Sequence, residues 1–309
     1  MEDVMKNLLF VFNPVAGKGI IANKIANIIT FYSKRDYLVT VLPTAKQEVI
    51  FKVLITNGTT FDLIVCAGGD GTLNQVVTSY LKSQCKLPIG YIPAGSTNDF
   101  AKTLGFNGDF QNMIDNTCSD IVRKIDVGKF DDQYFIYVAA FGSLAEISYS
   151  TPQEIKNILG HFAYILKGIQ KITDLKAYQL RMECNHQVIE GEFIIGLIMN
   201  SVSIGGFKNL FSEKFFLDDG LFEILLIRMP RNINQLQTII IDLMNKNLAS
   251  NMFVYMQSDS IKFESEPMGW SLDGEFGGII ENVEIRNVSK AIPIVGNNVG
   301  NLYHKEYGQ

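Results

Sequence analysis

The run Leu63-Ile64-Val65-Cys66-Ala67 passes directly into Gly68-Gly69-Asp70-Gly71-Thr72-Leu73-Asn74, and this junction limits the possible folds more than any other part of the chain. A strand that ends in glycines lets backbone N–H groups approach phosphate oxygens with no Cβ in the way. Asp70 among them supplies a carboxylate that can hold a cation or its waters. The junction therefore predicts a strand, loop and helix that take a nucleotide polyphosphate with Mg²⁺.

The same rhythm surrounds it. Short apolar runs at Leu8–Phe12, Leu38–Leu42, Leu63–Ala67 and Pro88–Ile92 read as strands, and amphipathic stretches at Ile20–Ser33, Gln47–Thr56 and Leu73–Leu81 read as helices between them. That order predicts a doubly wound α/β domain with ligand loops at the carboxyl ends of parallel strands. After Ile125 the pattern becomes β-rich, at Lys124–Phe130, Tyr134–Ala140, Tyr178–Cys184, Gln187–Met199, Leu221–Arg228, Ser260–Ser265 and Val283–Asn287. Turn breaks such as Asp131-Asp132 and Asn185-His186 predict an antiparallel β-sandwich. The boundary is placed near Asp126, giving a nucleotide-binding domain over 1–126, to which the tail 291–309 returns, and a sandwich domain over 127–290. Two helices interrupt the second half. One carries Ile155, Ile158, Leu159, Phe162, Ile165, Leu166, Ile169 and Ile172 on one face, suited to core packing or to a membrane surface, and the other spans Asn232–Ala249.

With 309 residues, 47% hydrophobic and 19% charged, the chain has core material for two domains. Cys66, Cys85, Cys118 and Cys184 show no zinc or disulfide spacing, which predicts a reducing cytoplasm. Met1–Lys6 lacks the basic start of a secretion signal. Apolar runs such as Phe193–Met199 and Ile224–Ile227 fall far short of the ~20 residues a membrane-spanning helix needs. Any lipid contact is therefore expected to be peripheral. A net charge of −5 argues against a nucleic-acid partner.

Two further loops bear on the ligand. Asn13-Pro14-Val15-Ala16-Gly17-Lys18-Gly19 follows the first strand, without the spacing of a Walker A loop. Pro93-Ala94-Gly95-Ser96-Thr97-Asn98-Asp99-Phe100-Ala101 follows the fourth, where Ser96 or Thr97 can cap a helix. Three glycine turns at the carboxyl ends of strands in one sheet would converge on one crevice. Taken together and in this order, Asn13-Pro14-x-x-Gly17, Gly68-Gly69-Asp70-Gly71-Thr72-x-Asn74 and Pro93-x-Gly95-Ser96-x-Asn98-Asp99-Phe100-Ala101 resemble the diacylglycerol kinase catalytic family. That family includes soluble bacterial lipid kinases and the sphingosine and ceramide kinases, with NAD kinases and phosphofructokinases as distant relatives. The likeness extends over nearly the whole chain.

The resemblance implies an ATP-dependent kinase acting on a lipid hydroxyl, with the nucleotide between an NAD-kinase- or phosphofructokinase-like α/β domain and a C-terminal antiparallel β-sandwich. The nucleotide contacts would be Asn13, Pro14, Gly17, Gly68, Gly69, Asp70, Gly71, Thr72, Asn74, Gly95, Ser96, Asn98 and Asp99, with Thr44 as a weaker one. Ser96 stands where threonine is commoner and keeps the hydroxyl. Asp70 and Asp99 lie on phosphate loops and read as holders of Mg²⁺ or its waters.

In the second half, the Asp218-Asp219-Gly220 turn can hold a hard cation through one carboxylate and neighbouring carbonyls. By similarity, Asp219 with the backbone oxygens of Phe216 and Leu221 would form a structural Mg²⁺ site. Ser271-Leu272-Asp273-Gly274-Glu275 offers two acids, either of which can accept the alcohol's proton in phosphoryl transfer. Asp126 extends the acidic network, and Lys167 on the amphipathic helix reads either as its balancing charge or as a solvated surface lysine. The expected reaction carries the γ-phosphate of ATP to diacylglycerol or a similar lipid, giving a phosphatidate and ADP, in a cytoplasmic protein that visits the inner face of the membrane. A kinase for a soluble substrate such as NAD and a non-catalytic nucleotide-binding regulator are the alternatives. Oligomeric state is open, a homodimer included.

Overall fold

This computed structural model describes residues 5–44, 47–95, 98–106, 109–142, 166, 175–200, 203–204, 207–208, 216–245 and 247–297. The chain divides into two compact units, Met1–Ile125 with Lys290–Gln309, and Asp126–Ser289.

The N-terminal unit is built from β1 (Lys6–Phe12), α1 (Ile20–Ser33), β2 (Tyr37–Pro43), α2 (Gln47–Asn57), β3 (Leu63–Gly68), α3 (Asp70–Lys82), β4 (Ile89–Pro93), α4 (Asp99–Thr103) and α5 (Phe110–Asn116). Its strands pair in parallel in the order β4-β3-β1-β2, and the end of the chain's last strand adds Ile294 and Val295 beside β4, also in parallel. Leu8, Phe10, Leu63, Val65 and Ile92 pack with Ile21, Ile28 and Tyr32 of α1 and Ile114 of α5. Leu9, Val11, Ile64 and Cys66, of the opposite parity, are equally buried. Both faces of β1, β3 and β4 are therefore covered, which is why these strands read as unbroken apolar runs, whereas β2 at the edge stays partly exposed. The order in which strands are added reverses between β1 and β3, the place where open α/β sheets leave a crevice outside the carboxyl ends of their strands.

The C-terminal unit contains β5 (Val122–Phe130, entering from the first unit), β6 (Gln133–Phe135), β7 (Val138–Gly142), β8 (Tyr178–Cys184), β9 (Gln187–Met199), a small separate ladder of β10 (Ser203–Ile204) and β11 (Phe207–Lys208), β12 (Phe222–Arg228), α6 (Ile233–Asn245), β13 (Phe253–Ser258), β14 (Ser260–Leu272) and β15 (Glu275–Val295). The path runs β13-β12-β9-β7-β14-β15, with β8 bridging β9 and β14 beyond the end of β7, β5 beside β15, and β6 beside β5. The two faces expected of a sandwich thus come from one continuous sheet that curls on itself. Phe135 of β6 and Phe222 of β12, far apart along that path, stack with ring centroids 5.6 Å apart. Trp270, Phe141, Phe130 and Phe263 fill the same core edge to face.

Three differences from the sequence expectation have physical causes. The run Tyr134–Ala140 is broken at Ile136-Tyr137, because a distant carboxylate takes the N–H groups of Ile136, Tyr137 and Val138. β14 and β15 extend well beyond Ser260–Ser265 and Val283–Asn287, since β-bulges carry the pairing past irregular stretches. β13 has too little alternation to be read as a strand and forms by pairing with β12. The helix expected over 155–172 lies outside the described residues except for Leu166, which is helical and buried.

Candidate active site

In the N-terminal unit, Phe12 is in register with Pro43 and Ala67, and Gly68 with Pro93, so the loops after all four strands leave the sheet at one edge. Their glycines let the loops touch backbone to backbone. Gly17 sits at φ +56, and a Cβ there would collide with the carbonyl oxygen of Ala94. A Cβ on Gly95 would lie 2.6 Å from the Cα of Gly69. On Gly68 it would strike the Thr72 hydroxyl at 2.5 Å, so Thr72, itself buried, serves to brace the turn.

The polar side chains here shape the loops. Asn13 Oδ1 accepts the Val15 N–H at 3.0 Å. Asn98, at φ +49, accepts the Gly95 N–H at 2.8 Å and donates to the Gly95 carbonyl at 2.9 Å. Asp70 Oδ1 accepts the Phe100 N–H at 3.3 Å, linking the second loop to α4. Tyr91, which sequence reading missed, donates its hydroxyl to the Gly68 carbonyl at 3.3 Å from beneath. Burial, with the Asp70 charge second, pushes that phenol well above its ordinary value. A tyrosine in the short central run Ile89–Ile92 was the available signal, since a buried hydroxyl needs a partner. Thr44 stands at the end of β2 with its N–H on the Phe12 carbonyl, 2.7 Å. Asn74 holds Thr78 one turn along α3 at 3.2 Å. No side chain caps the start of α3, a thirteen-residue helix whose first turn contains Asp70, Gly71 and Thr72. The positive dipole end of that helix favours an anion beside the loop. Pro14 lies on the first loop. Ser96 and the side chain of Asp99 lie outside the described residues, as does Lys167.

In the C-terminal unit two groups of acids stand in contrasting surroundings. Asp273, 6% exposed and at φ +51 in the β14–β15 turn, accepts three backbone N–H bonds, from Ile136 at 2.6 Å, Tyr137 at 2.9 Å and Val138 at 3.1 Å. Glu275, two residues on, is exposed. Asp126 is fully buried, and its Oδ2 accepts the Gly220 N–H at 2.6 Å, which assigns it to the 216–220 turn. Asp219 Oδ1 accepts the Leu221 N–H at 3.0 Å. Partial burial, then repulsion from Asp126 and Asp218, holds the Asp219 carboxyl above the ordinary carboxylate value. A carboxylate raised in this way suits a hard cation. Among the described residues no three acidic, histidine or cysteine side chains gather at one point, so a cation at Asp219 would depend on carbonyls such as those of Phe216 and Leu221. Glu223 nearby is buried beneath Tyr255 and Gln257, which both donate to it.

The model for the diacylglycerol kinase catalytic domain matches residues 7–130, from β1 to the end of β5. A diacylglycerol kinase of Bacillus subtilis is 30% identical over 294 residues, covering 94% of this chain and 96% of that protein. One from Staphylococcus haemolyticus is 31% identical over 271 residues, covering 87% of this chain and 82% of its own. The crystal structure of a diacylglycerol kinase from Bacillus anthracis superposes with a TM-score of 0.70 at 21% identity, covering 96% of this chain and 98% of that one. Another structure from that organism reaches a TM-score of 0.78 at 22% identity. Like these neighbours, the chain has mixed α/β content rich in strands. The chain belongs to the diacylglycerol kinase family and is a diacylglycerol kinase-like enzyme.

Proposed function

We propose that this enzyme transfers the γ-phosphate of ATP to the hydroxyl of diacylglycerol or a closely similar lipid, releasing phosphatidate and ADP. The observation that carries the reading is the meeting of three glycine loops, Gly17 against Ala94 and Gly69 against Gly95, at the uncapped start of α3. Backbone N–H groups so presented bind a polyphosphate through shape and dipole. Asp70 and Asp99 would hold Mg²⁺, which neutralises charge on the transferring phosphate. The nucleotide is assigned to residues 1–126 with the returning tail, and acceptor chemistry to 127–290.

Of the two acids left open by the sequence, Glu275 is assigned as proton acceptor. Three N–H donors already engage the Asp273 carboxylate, whereas Glu275 is exposed and can meet an incoming hydroxyl. Asp219 with the carbonyls of Phe216 and Leu221 would hold a structural Mg²⁺.

The hairpin also supports a lipid acceptor at a membrane surface. A bulge places Ser271 opposite Phe276, Trp270 opposite Gly278 and Gly269 opposite Ile279. Partners across a ladder share a face, so the extra residue puts Phe276 and Ile279 on the same side, which plain alternation would not. They are 56% and 68% exposed, immediately after Glu275. Among the described residues no helix is long and apolar enough to cross a membrane, so the contact proposed is peripheral, at the inner face of a cell membrane.

Labelled ATP and Mg²⁺ offered with dioleoylglycerol, phosphatidylglycerol and NAD test the reading. Label is expected in phosphatidate. Label confined to NAD, or ATP binding without ADP release, would overturn it.

A further inference from the structure

The turn joining β6 to β7 is gripped from two sides. Its three N–H groups go to Asp273. Two of its carbonyls go to Asn200, which follows β9: Nδ2 donates to the Ile136 oxygen at 3.2 Å, and the backbone N–H to the Tyr137 oxygen at 2.9 Å. The same Nδ2 donates to the carbonyl of Asp126 at 2.7 Å. Asp126 in turn grips the acidic turn, accepting from Gly220 and donating its N–H to the Leu217 carbonyl at 2.7 Å. A single buried amide thus joins the 217–220 turn to the segment that clamps the base of the Glu275 hairpin.

Asn200 is fully buried. Both atoms facing its Nδ2 are carbonyl oxygens, which fixes the amide's orientation. Oδ1 then has no partner among the described residues. An unmet buried acceptor costs stability, and an apolar residue would avoid that cost while losing both donor bonds. Sequence reading passed over Asn200 because one asparagine after an apolar strand looks like turn chemistry.

We infer that Asn200 is a positioning residue for phosphoryl transfer, tying the acidic 217–220 turn through Asp126 to the 136–138 segment that holds Asp273, and so setting the place of Glu275. The inference rests on Glu275 as the proton acceptor proposed above. A catalytic group displaced by about 1 Å loses roughly a hundredfold in rate.

Asn200→Asp keeps the side chain's shape and turns an oxygen toward two carbonyls. In the full chain kcat is expected to fall about ten- to a hundredfold, with KM for ATP changed less than about twofold, because the nucleotide loops belong to the other unit. Ile224→Ala, a core substitution outside this network, is the control that lowers melting temperature and leaves kcat unchanged. A folded Asn200→Asp with the kcat of the wild type or of this control would overturn the inference. If that variant does not fold, Asn200→Ser, too short to reach both carbonyls, carries the same reading. In the wild type, the amides of Ile136, Tyr137 and Val138 should exchange only with global unfolding, and fast exchange there overturns the inference without any variant. Wild-type rates in Glu275→Gln would defeat the proton-acceptor reading. Loss in Glu275→Gln beside wild-type rates in Asn200→Asp would defeat this inference alone.

Discussion

The two units build their sites by opposite means. In the N-terminal unit the loops follow directly from parallel strands, Asn13 and Asn98 hydrogen-bond within their own turns, and the loops approach one another backbone to backbone. In the C-terminal unit the decisive bonds join residues 135 to 137 positions apart for Asp273 and 74 apart for Asn200. A site made of backbone tolerates changes of side chain and resists any added Cβ. A site made of distant side chains behaves the other way. Substitutions in the first unit should therefore act on KM for ATP, and those in the second on kcat or on stability.

The largest effect expected is that of Glu275→Gln. If Glu275 is the proton acceptor proposed above, removing it costs about 10²- to 10⁴-fold in kcat. Because Glu275 is exposed, its melting temperature and KM for ATP should stay near wild type. A matching loss of ATP affinity would break the contrast between the units. Asp273→Ala comes next and should register first in folding. It leaves three buried N–H groups without their acceptor, each worth about 1–3 kcal/mol when unmet. Water entering the vacated space offsets part of this, so urea unfolding should report a loss of about 3 kcal/mol. A loss below about 1 kcal/mol would mean the three N–H bonds do not hold the turn.

This asymmetry also decided what could be read from the sequence. Leu8–Phe12, Leu63–Ala67 and Pro88–Ile92 fall within two residues of β1, β3 and β4, because strands covered on both faces leave unbroken apolar runs. The glycine loops were legible for a similar local reason, since positive φ and close backbone approach leave few other residue types. The clamp on residues 136–138 was not legible. Nothing near Tyr134–Ala140 signals that an acid 135 or more residues later will interrupt the strand. Asp273 and Glu275 looked equivalent as a pair, and only their partners separate a buried clamp from an exposed acid. Asn200 carried no local mark at all.

Gly17→Val tests the backbone side of the contrast. The position combines φ +56 with contact against the Ala94 carbonyl, and forcing a non-glycine residue into such a conformation costs about 1–3 kcal/mol. The first loop should move away from the third, raising KM for ATP by about tenfold or more while kcat at saturation changes little. Gly58→Ala is the matched control, since a Cβ there meets nothing within 4 Å. A lowered kcat with KM intact would place Gly17 among the groups that act on the chemical step.

The smallest effect sharpens the comparison most. Tyr91→Phe deletes a buried hydroxyl directly beneath Gly68, which by the logic of the C-terminal unit should be costly. Yet the Gly68 carbonyl also accepts the Ala94 N–H at 2.8 Å, so it remains bonded when the tyrosine's 3.3 Å contact is gone. The removed hydroxyl takes its own donor with it and leaves no unmet group behind. Unfolding should therefore show a loss of only about 0.5–1.5 kcal/mol, with KM for ATP within about twofold of wild type. A strongly raised KM would show that the phosphate loop depends on a side chain after all, and the division between a backbone-built unit and a side-chain-built unit would fail at its most exacting position.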